Sequence, residues 1–187
     1  MLTVCTITIT DVRTNFHIWN VADKNSAYPT MNKTVREIQQ LMVKRGLTLA
    51  TAESCTSGGI AREITKVSGS SDYFQGGLVA YQDRLKTQYL GVSAEDIAKY
   101  DVVSEPVVRQ MVRGACKMFQ TDYAIASTGY AGDGCNGIPS GTIWIAWGTP
   151  DNICTKCLTQ NINRETNTDN AIKEALKGLL RELRMKN

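Results

Sequence analysis

Short β-like runs and longer helical stripes alternate along this chain, and few folds accommodate that order. After Asn32, the residues Val35, Ile38, Leu41 and Met42 share one helical face, and Gly46 is placed to end it. A strand over 47–52 follows. Ile60, Ala61, Ile64 and Val67 then keep helical spacing up to the breaker Ser68-Gly69-Ser70-Ser71, and a β-like run covers 73–81. Val108, Met111, Val112, Ala115, Cys116 and Phe119 form the next stripe, with Ser104 and Glu105 ahead of Pro106 as its start signal. Strands are expected over 123–127, 142–147 and 153–158. Ala171, Ile172, Ala175, Leu176, Leu179, Leu180 and Leu183 give the last and clearest helix. The segment 128–137 carries four glycines and reads as a loop. Strands alternating with helices predict an α/β fold: one layered domain, its mixed or mostly parallel sheet covered by helices, with ligands bound at the carboxyl ends of the strands.

With 187 residues, 42% of them hydrophobic, the chain can bury one good core. Residues 1–31 read as an amino-terminal extension and 32–187 as the domain. Lys plus Arg number 21 against 18 Asp plus Glu, a net +3 without any basic run, which argues against nucleic-acid binding. Residues 1–10 alternate Thr with Ile or Val, unlike an export leader, and no apolar stretch reaches the roughly 18 residues of a membrane span. A soluble, cytoplasmic protein with reduced cysteines is expected. Cys154 and Cys157 have the spacing of half a zinc site, but no second pair follows and the one histidine, His17, is remote, so no metal is expected.

Ser54 stands where the first strand meets a helix. Backbone N–H groups without helical partners lie near such a turn, and Gly58 and Gly59 allow a ligand close approach. The place suits an anion or the oxyanion of an acyl-transfer intermediate. From local pattern alone, Ser54 or Thr56 capping the helix is the simpler reading. A serine nucleophile needs a base, and lysine serves where burial or neighbouring positive charge favours its neutral form; Lys86 and Tyr81 close the run after the Ser54 helix and could face the crevice.

Thr51-Ala52-Glu53-Ser54-Cys55-Thr56, Gly69-Ser70-Ser71-Asp72-Tyr73-Phe74, Gly76-Gly77-Leu78-Val79-Ala80-Tyr81, Lys86, Leu90-Gly91-Val92, Val103-Ser104-Glu105 and Thr128-Gly129-Tyr130-Ala131-Gly132 together resemble the carboxy-terminal domain family of the competence/damage-inducible protein CinA, from about Asn32 onward. The resemblance implies a nicotinamide mononucleotide deamidase that releases ammonia and nicotinic acid mononucleotide in pyridine-nucleotide salvage, without cofactor, as a homodimer. It casts Ser54 as nucleophile, Lys86 as base and Tyr81 as an assisting hydroxyl. It marks Glu53, Cys55, Thr56, Ser57, Gly58, Thr128, Gly129 and Arg164 as substrate-binding, Arg164 for the phosphate, and a homo-oligomer higher than the dimer is equally compatible with it. Two departures stand out. Ser57 takes the first place of a family glycine pair, and the family's Gly-Ile-Ala-Gly-Pro-Gly becomes Gly129-Tyr130-Ala131-Gly132-Asp133-Gly134, which sets a carboxylate where a phosphate is expected nearby. Some family members carry a further amino-terminal domain; 31 residues are too few for it, so the stand-alone form is expected. A non-catalytic nucleotide-binding module and an amidase for another small amide are the alternatives. DNA uptake or repair, which the family name suggests, has no support in the charge pattern.

Overall fold

The computed structural model describes residues 29–185. His17 and the β-like run over 1–10 lie outside the described residues. Helix α1 (Pro29–Arg45) buries Val35, Ile38 and Met42, and Gly46 leaves it with a left-handed φ of 63°. Met31 is part of this helix and of the core, so α1 begins ahead of the boundary expected at 31/32. The order continues as β1 (Leu49–Glu53), α2 (Gly59–Thr65), a 3-10 turn (Ser70–Asp72), β2 (Phe74–Val79), α3 (Asp83–Leu90), α4 (Ala94–Tyr100), α5 (Glu105–Phe119), β3 (Tyr123–Tyr130), β4 (Thr142–Gly148), β5 (Ile153–Thr159) and α6 (Arg164–Met185).

The strands form one mixed sheet in the order β2-β1-β3-β4-β5; the first three are parallel, β4 is antiparallel to β3, and β5 is antiparallel to β4. Period-two alternation splits its side chains between two cores. Leu49, Tyr123, Ile125, Ile143, Ile145 and Trp147 share a core with α1, α2 and α6. Ala50, Ala52, Ala124, Ala126 and Ala146 face the other way, under α5. An alanine surface lets α5 lie close to the sheet, so its Val107, Val108, Met111 and Val112 are wholly buried. Each such side chain contributes about 1.5–3 kcal/mol by leaving water. The α/β class and the layered single sheet are as expected.

Three expectations change. Lys86 does not close a strand; it sits in α3, a helix whose buried side chains are Lys86 and Leu90. Helix α4, with no buried residue, was not anticipated either. Finally, Thr128, Gly129 and Tyr130 belong to β3 and pair with Trp144, Ile143 and Thr142, so the glycine-rich loop starts only after Tyr130. Gly129 is there because β4 comes so near: a Cβ on it would lie 2.8 Å from the Ile143 Cα.

Candidate active site

Parallel strands β1, β2 and β3 end at the same edge of the sheet, and in the order β2-β1-β3 the connection from β1 to β2 through α2 covers one face while the return from β2 to β3 through α5 covers the other. Crevices form at such points. Ser54 follows β1, Tyr81 follows β2 and Thr128 lies near the end of β3. The Ser54 N–H donates to the Ser127 carbonyl (3.1 Å), and the Ala80 N–H to the Glu53 carbonyl (2.8 Å), so the three strand ends are stitched together.

A cleft of about 180 Å³ opens there, lined by Ser54, Cys55, Tyr81, Asp83, Lys86, Val102, Val103, Thr128, Gly129, Tyr130, Ala131, Asp133 and Arg164. Ser54 is 7% exposed and Lys86 1%. The Lys86 Nζ donates to Asp83 Oδ1 at 3.2 Å, one turn earlier on α3. At the solvent side, Arg164 opens α6 and its Nη2 donates to the Tyr81 hydroxyl at 2.8 Å; Tyr81 is 51% exposed. The buried Thr128 hydroxyl donates to the Val102 carbonyl (2.9 Å), which ties β3 to the segment before α5.

Helix α2 starts at Gly59, and its N-cap, Gly58, offers no side chain. Neither Ser54 nor Thr56 caps it, so the simpler reading of local pattern does not hold. Glu53 does that work from a distance: it is 0% exposed, Oε2 accepts the Ile60 N–H (3.0 Å) and the Thr56 hydroxyl (2.7 Å), and Oε1 accepts the Ala61 N–H (2.9 Å). Ser57 and Gly58, at φ 52° and 88°, bend the backbone through two left-handed residues. Among the described residues, the N–H groups of Thr56 and Gly58 donate to no protein acceptor. Burial pushes the Cys55 thiol up to about 12, against a hydrogen bond from its surroundings at Ser127 that acts the other way, so it is no thiolate at neutral pH.

Of the expected site residues, Ser54, Cys55, Tyr81, Lys86, Thr128, Gly129 and Arg164 meet on the cleft, and Glu53, Thr56, Ser57 and Gly58 lie outside its lining. Two features escaped the sequence reading. Ser127 is buried with its Oγ 2.6 Å from the Thr56 Oγ1; two consecutive hydroxyl residues ending the apolar run Tyr123 to Ala126 were the available signal. Asp101, at φ 69°, accepts from the Tyr130 hydroxyl (3.2 Å) and from Asn136 Nδ2 (2.8 Å), which pins the loop after β3. Burial, then the Asp101 charge, push the Tyr130 phenol up to about 12, which keeps it a donor. No sequence spacing links these three. Among the described residues, no group of three His, Cys, Asp or Glu side chains is placed to hold a metal ion. Cys154 and Cys157, three apart on β5, point to opposite sides of the sheet.

A sequence model of the CinA C-terminal domain matches residues 31–183. The nicotinamide-nucleotide amidohydrolase PncC of Escherichia coli (strain K12) is 44% identical over 115 residues, 60% of this chain and 70% of that protein. A CinA-like protein of Flavobacterium psychrophilum is 41% identical over 146 residues, which are 77% of this chain and 35% of that longer protein. The chain thus spans about a third of such CinA-like relatives. Among solved structures, the competence damage-inducible protein A (ComA) of Klebsiella pneumoniae subsp. pneumoniae MGH 78578 superimposes with a TM-score of 0.79 at 34% identity, over 82% of this chain and 96% of that one. A CinA superfamily protein of Enterobacter cloacae gives 0.80 at 27% identity, over 94% and 99%.

Proposed function

The chain belongs to the CinA C-terminal domain family, and from that premise we propose that it is an amidase that hydrolyses the carboxamide of nicotinamide mononucleotide to nicotinic acid mononucleotide and ammonia, the class of reaction that PncC of Escherichia coli is named for. One observation carries the reading: a hydroxyl, Ser54, and an amine, Lys86, both almost wholly buried and from different elements, open onto the same small cleft. In this mechanism the Ser54 Oγ attacks the carboxamide carbon while Lys86 serves as the base that takes its proton. Collapse of the tetrahedral intermediate breaks the C–N bond, and the same proton goes to the departing ammonia. Water then attacks the acyl ester, Lys86 again moving the proton, and the acid product leaves Ser54 free. Backbone N–H groups of the turn from Cys55 to Gly58 would be the donors for the oxyanion; such donors, preset toward developing charge, favour the transition state over the ground state. Arg164 would take the phosphate and Tyr81, held by Arg164, would orient the substrate amide.

Incubation with nicotinamide mononucleotide, with assay of both ammonia and the acid, tests class and substrate together. Ser54→Ala is expected to lower the rate by at least about 1000-fold; a normal rate removes Ser54 from the nucleophile role. Lys86→Ala should cost about 100- to 10,000-fold and alter the pH–rate profile, and an unchanged profile would count against the base assignment.

Asp133 favours a second reading. It lines the cleft together with Arg164, whose Nη1 lies 3.2 Å from where a Cβ on the adjacent Gly132 would be, so a carboxylate stands near the place of the phosphate. A smaller amide without phosphate would avoid that repulsion. Faster turnover of free nicotinamide or glutamine than of the mononucleotide would select this reading, and binding of the mononucleotide without any turnover would leave a binding module.

A further inference from the structure

Beneath the Ser54 turn runs a buried polar chain that lines no part of the cleft. The Thr56 Oγ1 has one proton and two short neighbours, Glu53 Oε2 at 2.7 Å and Ser127 Oγ at 2.6 Å. Glu53 also receives the N–H groups of Ile60 and Ala61. Three donors thus converge on its two oxygens, an arrangement that suits an acceptor with no proton of its own. Thr56 must then donate to Glu53, and at 2.6 Å Ser127 must donate to Thr56, which leaves the protonated Cys55 thiol beside Ser127 to donate to it and not to accept from it. The direction of every proton in the chain is set by the carboxylate at its end. Both ends bracket the proposed nucleophile: Glu53 precedes Ser54 in the chain, and Ser127 receives the Ser54 N–H on its carbonyl at 3.1 Å, with its Oγ at a long 3.5 Å.

We propose that Glu53, Thr56 and Ser127 are positioning residues that hold Ser54 in its attacking place, Glu53 by fixing the direction of the Thr56 and Ser127 hydroxyls. The inference rests on the amidase reading of the site. It gives Glu53 and Thr56 a role other than the substrate contact that the family resemblance implies for them. The turn needs such support, because Ser57 and Gly58 both hold left-handed backbone angles and an unsupported turn has more comfortable alternatives. A satisfied but inert polar core would show the same bonds, so the test must separate the hydroxyl from mere packing.

Thr56→Val keeps the volume and removes the hydroxyl; Thr56→Ser keeps the hydroxyl and removes a methyl. With nicotinamide mononucleotide as substrate, and with melting curves to show that each protein is folded, Thr56→Val is expected to lower kcat about 10- to 100-fold with KM within about twofold, the cost of a nucleophile displaced by a fraction of an ångström. Thr56→Ser should recover most of that loss. Glu53→Gln should fall similarly, since its amide turns an N–H₂ toward one of three donors, and Glu53→Gln combined with Thr56→Val should be no worse than the poorer single variant. If Glu53→Gln does not fold, Ser127→Ala, which leaves every bond to Glu53 intact, should still lower kcat about 10-fold. Wild-type kcat in a folded Thr56→Val protein overturns the inference. So do equal losses in Thr56→Val and Thr56→Ser, which mean packing, and a raised KM at constant kcat, which means substrate contact. A wild-type protein silent toward the mononucleotide, free nicotinamide and glutamine alike brings down the amidase reading itself, whereas an active wild type with unaffected variants brings down this inference alone.

Discussion

Ser57 stands in a backbone conformation that only glycine adopts freely. At φ 52° its Cβ crowds the backbone, and its N–H closes the turn onto the Ser54 carbonyl at 3.1 Å. A left-handed non-glycine residue costs roughly 1–2 kcal/mol, while glycine brings back roughly 0.5–1 kcal/mol of unfolded-chain entropy. Ser57→Gly is therefore expected to stabilise the fold by a few tenths to about 1 kcal/mol, and Ser57→Val, β-branched, to destabilise it. Urea denaturation gives both signs; equal or reversed shifts would mean that the turn is not strained. Beside it, Cys55 is no substitute nucleophile, because burial keeps its proton on. A thiol reagent at pH 8 should label the exposed Cys135 in the native protein and leave Cys55 and Cys116 until the chain unfolds, as peptide mapping by mass would record.

At the scale of elements, the place of Lys86 is set by a contact far from the chemistry. Gly114 of α5 lies against α3, and a Cβ on it would stand 2.1 Å from the Leu90 carbonyl oxygen. Gly114→Ala must push α3 outward and carry Lys86, one turn before Leu90, with it. The expected result is a loss of about 1–3 kcal/mol in stability and of about 100-fold in kcat at a residue that touches no substrate. A variant with reduced stability and normal kcat would show that α3 does not set the amine. This helix also marks where the sequence stops being legible. Helices α1, α2, α5 and α6 were readable because their buried faces are mainly apolar, but α3 buries Lys86 with Leu90, so a polar side chain occupies half of its stripe. Helix α4 buries nothing and leaves no stripe to read. The convergence of Ser54, Tyr81 and Thr128 followed from strand ends alone, since parallel strands deliver their termini to one edge. Glu53 was different. The phase Leu49, Thr51, Glu53 puts it on the face shared with α2 and α6, yet a carboxylate on an apolar face becomes intelligible only once Thr56, Ile60 and Ala61 are seen to converge on it. The bond from Tyr130 to Asp101 joins residues 29 apart and needs the folded chain.

For the molecule as a whole, α1 and α6 pack together on one side of the sheet, and their ends are clasped by groups 138 and 147 residues apart in sequence. The Arg45 Nη1 donates to the Leu183 carbonyl (2.9 Å), and Arg184 makes two bonds to Glu37, 2.6 and 2.7 Å, in a fork that matches the carboxylate. The hydrogen bond from Arg184 holds the Glu37 carboxyl below its usual range, with the Arg184 charge acting in the same direction and slight burial against it. A carboxyl whose pKa is lower folded than unfolded binds its proton more readily in the unfolded chain. Its contribution to stability is therefore full above the ordinary glutamate pKa, and it is lost as pH falls from there through the lowered folded value. The Arg184 side chain is about half in water and Glu37 partly so, so the contribution is small and salt weakens it. Glu105 and Glu174 are lowered by their own basic neighbours, so acid sensitivity in the wild type has several sources. Comparison with Glu37→Gln isolates one of them: the variant should melt below the wild type at pH 7 and low salt, and the gap should close both at pH 3 and in 1 M salt. A gap that persists at pH 3 would assign the clasp to packing between α1 and α6, with the Arg184 fork an effect of that contact and not a cause of it.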